Sequence, residues 1–232
     1  MSRERTYRTF KHRGAVLRIC CEEFEAVTGE IVRQRGILED YIARHPDFRR
    51  SFEPVEPLAD APDIARRMAA AARLVGVGPM AAVAGAMAQL AGEAALAAGA
   101  TEVIVDNGGD IYVRVLQPVI IGLHTGRTEL ADKLGFMLEP DDTPLSISSS
   151  SGKMGHSRSL GACDLATVVA EDSALADAAA TRAANHVMTA EDVDPALGQI
   201  AAVEGVDGVL IVKDDRVGLA GKLPRLIKVE AG

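Results

Sequence analysis

The chain has no tryptophan, only three tyrosines and only five phenylalanines, so large aromatic plugs cannot fill its interior. Yet 48% of its 232 residues are apolar, enough for a sizeable core. Small side chains must then set the packing, and helices built from alanine and glycine can approach one another closely. Cysteine is scarce too. Cys20 and Cys21 are adjacent and Cys163 stands apart, which excludes a Cys-x-x-Cys metal knuckle and suits a reducing cytoplasm. Positive charge is in deficit, with a formal net charge of −8, so no basic face is expected for a nucleic-acid backbone. The basic start (Arg3, Arg5, Arg8, Lys11, Arg13) reads as a solvated terminus or edge strand. Met1-Ser2-Arg3-Glu4-Arg5 carries no apolar h-region, so neither signal peptide nor membrane anchor is expected, and the expected location is cytoplasmic. The uncharged run Leu74 to Gly92 has about the length of a bilayer span. Its Ala/Gly composition and Pro79 indicate a buried core helix instead.

Patterning supplies the elements. Tyr7 to Phe10 and Ala15 to Cys20 read as strands about a turn at His12-Arg13-Gly14. Val27, Ile31, Leu38 and Ile42 share a helical face, and that helix stops before Pro46. After the connector Glu53-Pro54-Val55-Glu56-Pro57, a second helix starts at Asp60-Ala61-Pro62 with the stripe Ile64, Met68, Val75. Gly76-Val77-Gly78-Pro79 breaks it, and a third helix carries Val83, Met87, Leu90 and Ala94 up to Gly99. Strands follow at Glu102 to Val105, Ile111 to Val115 and Val119 to Leu123. The second half gives strands at Leu145 to Ser148 and Leu165 to Ala170, then helices at Ser173 to Val187 and Ala190 to Ala202. Strands Gly208 to Lys213, Val217 to Ala220 and Leu226 to Val229 close the chain. Strand pair, helix pair, strand pair, twice over, predicts an α+β fold with helices packed on antiparallel sheet. The expectation is one domain over residues 1–232, made of two pseudo-repeats of about 1–125 and 126–232.

Two polar, flexible loops interrupt this scaffold. The first is Val105-Asp106-Asn107-Gly108-Gly109-Asp110-Ile111. Asn107-Gly108 suits a type I′ hairpin turn, because both residues tolerate positive φ. Two successive glycines between Asp106 and Asp110 exceed what a tight turn requires, so a ligand loop stays open beside the plain turn. The second is the run Ser148 to Ser151 with Gly152, followed by Gly155-His156-Ser157. Such loops let backbone N–H groups reach the oxyanions of a phosphate-bearing ligand, and His156 can move a proton near neutral pH. A mobile surface loop is the plainer reading. The Gly-x4-Gly-Lys spacing of a Walker A loop is missing, and no Gly-x-Ser-x-Gly elbow supports a hydrolase triad of Ser151 or Ser157 with His156 and Asp164. Asp177 and Thr181 are four apart on a helix and so share a side, where a carboxylate and a hydroxyl suit Mg²⁺. An ordinary helical acid and threonine are the alternative.

Together these residues resemble a known family. Val105 to Ile111 looks like the Asn-x-Gly-Gly-Asp-Ile segment of the ApbE superfamily, flavin transferases that move FMN from FAD onto a protein. Ala81 to Gly85 falls on their Gly-x-Ala-Lys-Gly segment, and Val168-Val169-Ala170 with Ala176-Asp177-Ala178 and Thr181 on their Val-Val-Ala…Ala-Asp-Ala-x-x-Thr segment. A closer resemblance is to a sister UPF group of ApbE-like proteins. Its marks here are Val77-Gly78-Pro79-Met80-Ala81-Ala82-Val83-Ala84-Gly85, Asn107-Gly108-Gly109-Asp110, Ser150-Ser151-Gly152 and Gly155-His156-Ser157. The resemblance covers nearly the whole chain and implies the T-fold, a duplicated ββααββ unit. It also implies Mg²⁺ held by Asp177, Thr181 and the Val83 carbonyl. It departs in three places: Ala84 stands where those enzymes have lysine, their His-Ile-Ile-Asp-Pro-x-Thr-Gly hairpin is missing with only Gly155-His156-Ser157 near its place, and their lipoprotein signal is not expected here.

The leading expectation is therefore an Mg²⁺-dependent, FAD-binding transferase-like enzyme, with FMN transfer to a protein acceptor as the model reaction. Asn107, Gly108, Gly109, Asp110, Ser150, Ser151, Gly152 and Ser157 would surround the flavin nucleotide, with His156 as the base. The alternatives are a pyrophosphatase or transferase acting on another nucleotide or cofactor precursor, and a non-catalytic flavin- or metabolite-binding protein. Ala/Gly-rich helices and an open sheet edge add a homodimer to the expectations. Asp177 is expected to line solvent and contribute little to stability.

Overall fold

Every side chain of the strand Leu165–Ala170 is buried, which requires a cover on both of its faces. A computed structural model, describing residues 5–123, 134–152 and 161–229, supplies both. The strand lies inside an eight-stranded sheet formed by β1 (Arg8–His12), β2 (Ala15–Cys21), β3 (Val103–Asp106), β4 (Asp110–Arg114), β7 (Leu145–Ser150), β8 (Leu165–Ala170), β9 (Val206–Lys213) and β10 (Arg216–Gly221), in that spatial order. Every neighbouring pair is antiparallel. A separate three-stranded sheet contains β5 (Val119–Gly122), β6 (Leu134–Leu138) and β11 (Arg225–Lys228), ordered β11-β6-β5.

Six helices complete the described fold: α1 (Phe24–Arg44), the short α2 (Asp47–Arg50), α3 (Asp63–Val75), α4 (Val83–Ala97), α5 (Ser173–His186) and α6 (Val193–Ala201). The period-two alternation of the strands divides the core between two layers. Ala166, Val168 and Ala170 of β8 face the helices, with Ala86, Ala88, Ala91, Ala176, Ala179 and Ala183 among their neighbours in one cluster. Leu165 and Val169 face the other way, joining Val119, Ile121, Phe136 and Leu138 of the smaller sheet. The helix layer is thus packed by small side chains and the sheet–sheet layer by branched ones. This is the mixed helix and antiparallel-sheet architecture expected.

The structure also corrects details. Val119–Gly122 and Arg225–Lys228 do not extend the long sheet but form the second one, together with β6, which the sequence pattern did not reveal. Alternation specifies a half-buried strand and leaves its partners to non-local packing. On α1 the buried stripe ends at Tyr41 rather than Ile42, and the Tyr41 hydroxyl accepts the Leu58 N–H at 3.0 Å, tying down the proline connector. Arg5 is no solvated terminus: its guanidinium donates to the carbonyls of Gln117 and Pro118 and to Glu102. The stretch 79–97 is long and apolar enough to cross a membrane, but Ala86, Ala88, Leu90, Ala91 and Ala95 are buried in the protein's own core. The boundary between pseudo-repeats near residue 125 lies outside the described residues.

Candidate functional site

The hairpin β3–β4 turns on Gly108 and Gly109, with φ of 74° and 105°, while the Asn107 N–H donates to the Asp110 carbonyl at 3.0 Å. The positive-φ pair is therefore Gly108-Gly109, one residue later than the Asn107-Gly108 pair singled out from sequence. Asn107 acts through its side chain instead, and its Nδ2 donates to the Ala84 carbonyl at 3.1 Å. The Gly109 N–H already donates to Asp106 Oδ1 at 2.9 Å, so it is not free to meet an oxyanion.

Beside this turn lies a cleft of about 360 Å³ lined by Arg18, Asp106, Gly108, Gly109, Ser149, Ser150 and Ser151, with Val16, Ile111, Leu123, Ile147 and Leu165 as apolar walls. Its volume is within the range usual for small-molecule sites, about 300–1,000 Å³. The glycine turn and the serine run, remote in sequence, meet here because β4 pairs directly with β7. Gly152 follows, but its N–H donates to the Cys163 carbonyl at 2.8 Å. His156 and Ser157 lie outside the described residues. Asp164 belongs to another cluster: its Oδ2 accepts the Asp214 N–H at 2.7 Å and pairs with Lys213 at 3.9 Å.

Behind the turn, on the helix side of the sheet, stands an acidic pair. Asp177, on α5, turns into the protein and is 8% exposed. Its Oδ2 accepts the N–H groups of Ala84 (3.0 Å) and Gly85 (2.9 Å), capping the start of α4. Helix and acid can meet only because residue 85 has no side chain. A Cβ there would lie 2.1 Å from the Ser173 carbonyl oxygen and 2.9 Å from Asp177 Cβ. Asp177 is thus no solvent-lining carboxylate, because the closely packed α4–α5 seam folds it inward.

Asp110, 9% exposed, directs its carboxyl to the same place. Burial pushes the Asp177 acid up to about 7, against the pull of the two N–H donors and of Asp110. Burial raises Asp110 well above the ordinary carboxylate value, and the Asp177 charge adds to it. Both acids are thus raised together, and burial is the largest cause for each. The hydroxyl of Ser148, the ladder partner of Asp110, pulls the other way as a hydrogen-bonding group, yet the fully buried Ser148 Oγ reaches no partner with ordinary hydrogen-bond geometry. The sequence placed Ser148 in the polar run Ser148 to Ser151 but not among the residues expected to surround the nucleotide. The signal available was its period-two offset from Ser150 and Ser146 in a run of identical residues.

Thr181 follows Asp177 by one turn of α5 and is half-buried. Val83 and Asn107 line a second hollow of about 160 Å³ with His12, Arg35, Ala84 and Met87. Asp177, Asp110, Ser148, Thr181 and the Val83 carbonyl are all hard oxygen donors; Asp177 Oδ2 is engaged by α4, and its carboxyl also meets that of Asp110. This donor set fits Mg²⁺ or a similar divalent cation.

Comparison with known proteins agrees with this architecture. A family model described as "AbpE bacteria" matches residues 9–211. A "UPF0280 protein" of Methanocella arvoryzae is 42% identical over 198 residues, 85% of this chain and 80% of that protein. One from Archaeoglobus fulgidus is 38% identical over 229 residues, covering 96% and 94%. Among solved structures, a mutant of the flavin transferase ApbE from Vibrio cholerae superposes with a TM-score of 0.59 at 12% identity, covering 94% of this chain and 97% of that one. The apo flavinyl transferase ApbE of Pseudomonas stutzeri gives 0.55 at 12% identity, with 94% of both chains covered. The ApbE protein of Thermotoga maritima gives 0.56 at 13%, covering 98% and 97%. At such low identity these likenesses show a shared fold.

Proposed function

The chain belongs to the AbpE bacteria family, and from that premise we propose that it is an Mg²⁺-dependent enzyme binding a flavin nucleotide, FAD, and acting at its phosphate. Transfer of FMN from FAD to a protein acceptor is the model reaction. The observation that carries this reading is the charge of the site. Asp106 lines the cleft, Asp110 and Asp177 stand behind the turn, and Arg18 is the one cation among the described lining residues. Among the described residues, a phosphate entering there faces three acids and one cation, a balance that a divalent cation would restore. When bound, the cation would neutralise charge developing on phosphate oxygens.

The chain's own residues have separate tasks. Asp177 and Thr181, with the Val83 carbonyl, would hold the cation. Gly108 and Gly109 keep side chains out of the cleft, and Ser150 and Ser151 offer hydroxyls along its wall. The apolar walls Ile111, Ile147 and Leu165 suit the flat face of a ring system and exclude water from it. His156 and Ser157 remain proposed members of the site, His156 as the base that accepts the attacking hydroxyl's proton. Incubation with FAD and Mg²⁺, followed by flavin fluorescence and chromatography for AMP, tests this. Bound flavin with AMP release and a labelled acceptor is the expected outcome. Absence of both bound flavin and AMP would remove the reading.

A second reading is motivated by Ala84, which places a methyl group rather than a cation on the hollow lined by His12 and Arg35. It assigns the same site to a pyrophosphatase or transferase using another nucleotide. Thermal stabilisation by that nucleotide and not by FAD would select it. Binding of FAD without turnover would instead identify a flavin-binding protein without catalysis.

A further inference from the structure

Asp110 and Asp177 present two acid groups to one another where water is nearly excluded. Among the described residues no lysine, arginine or histidine acts on either: the groups around Asp110 are Asp177, Asp106 and Ser148, and those around Asp177 are two backbone N–H groups and Asp110. Buried carboxylates without a cationic partner are costly, and a fold keeps them either by protonation or by a cation between them. A further observation points at the same spot. Ser148 stands opposite Asp110 in the β4–β7 ladder, is 0% exposed, and its Oγ has no hydrogen-bond partner. A buried hydroxyl oxygen without a partner is a donor atom awaiting one.

We propose that Asp110 and Ser148 are direct ligands, together with Asp177, of the divalent cation, so that the β4–β7 ladder supplies the floor of the metal site. Asp110 then acts on the metal, not on the nucleotide as its place in the glycine loop suggests. The orientation is fixed in advance. Two N–H groups of α4 hold Asp177 Oδ2, and the carboxyl also meets that of Asp110, where a cation would take the place of the hydrogen bond between the two acids. Asp110 and Ser148 sit on a central strand pair rather than on a loop, which suits a rigid site. Oxygen donors of this kind select Mg²⁺, Mn²⁺ or Ca²⁺ over softer metals. The inference rests on the proposed function only in taking a divalent cation to belong here.

The test is Mn²⁺ binding to the full chain, followed by electron paramagnetic resonance without nucleotide, with Mg²⁺ as competitor. Wild type should bind one Mn²⁺ and gain thermal stability from it. Asp110→Asn should weaken Mn²⁺ by about 100-fold, the upper end of what loss of a mere outer-shell partner does. Its metal-free melting temperature should not fall, because asparagine keeps the shape, still offers an N–H to Asp177 and cannot ionise. Ser148→Ala, which retains both carboxyls, should weaken Mn²⁺ by about tenfold and serves as the decisive variant if Asp110→Asn fails to fold. Wild-type binding in Asp110→Asn, or no Mn²⁺ on the wild type, overturns the inference: the pair then holds a proton only. FAD binding by wild type in Mg²⁺, measured separately, distinguishes the two ideas. FAD bound with Asp110→Asn unaffected towards Mn²⁺ sinks this ligand set alone. Mn²⁺ lost in the variant with no FAD on the wild type sinks the flavin reading alone.

Discussion

The β1–β2 and β3–β4 hairpins each close through two residues of positive φ: Arg13 and Gly14 at 45° and 85°, Gly108 and Gly109 at 74° and 105°. The first tip projects a side chain, and Arg13 pairs with Glu39 of α1 at the surface. The second tip has no side chain at all. Its flanks do the work: Asp106 accepts from the turn, Asn107 ties it to Ala84, and Asp110 reaches the Asp177 pair beneath it. Nearly the same local backbone therefore serves as a plain connection in one place and as the rim of a cleft in the other. Tertiary tethers, rather than turn type, separate the two.

The largest effect should come from breaking the seam under the second turn. Gly85→Ala would press a Cβ against the Ser173 carbonyl and is expected to destabilise by about 3 kcal/mol or more in urea unfolding. A loss below about 1 kcal/mol would show that α4 and α5 can part cheaply. Next comes pH, which should act on the second hairpin only. Between the ordinary aspartate value of 3.8 and about 7, native Asp177 and Asp110 bind a proton that the unfolded chain does not. Stability without metal should be highest below that window and fall as pH rises through it, since the unfolded state binds fewer protons. Added Mg²⁺ should reverse the trend at the upper end. A metal-free stability that rises across the same range would contradict the buried pair.

A smaller, sharper contrast follows from alanine at matched turn positions. Gly109→Ala and Gly14→Ala should each cost about 1 kcal/mol, because both impose positive φ on a residue with a Cβ. Only Gly109→Ala should weaken flavin-nucleotide binding, measured by fluorescence titration. Equal binding loss in both variants would mean that the cleft is not the site. Smallest is the pair of tethers: Asn107→Ala should cost about 1 kcal/mol and Arg13→Ala at most about 0.5 kcal/mol in thermal unfolding. The reverse order would show the surface ion pair to be the stronger tie.

Much of the fold was legible from the chain. The strands around Ala15, Val103, Ile111 and Leu165, the stripes Val27-Ile31-Leu38 and Ile64-Met68-Val75, and the break at Gly76 to Pro79 are local patterns, and the structure follows them. The same patterns missed β6 and did not separate β5 and β11 from the long sheet, because a strand's partner is not a local property. At the site, Gly108, Gly109, Ser150 and Ser151 were visible as flexible polar runs, and they do converge on one cleft. The surroundings of Asp177 were misjudged. An acid on an alanine-rich helix reads as solvent-facing unless the glycine that admits it, Gly85, is known to lie against the same turn of α5.

The sequence by itself determined the periodicities, the breaks and the two glycines at the hairpin tip, since each depends on the sterics of a few neighbouring residues. Only the tertiary structure decided that Asp110 and Asp177 meet, that Ser148 stands beside them, and that burial raises both acids. Ionisation depends on burial and on charges brought from distant segments, and no local pattern of residues encodes either.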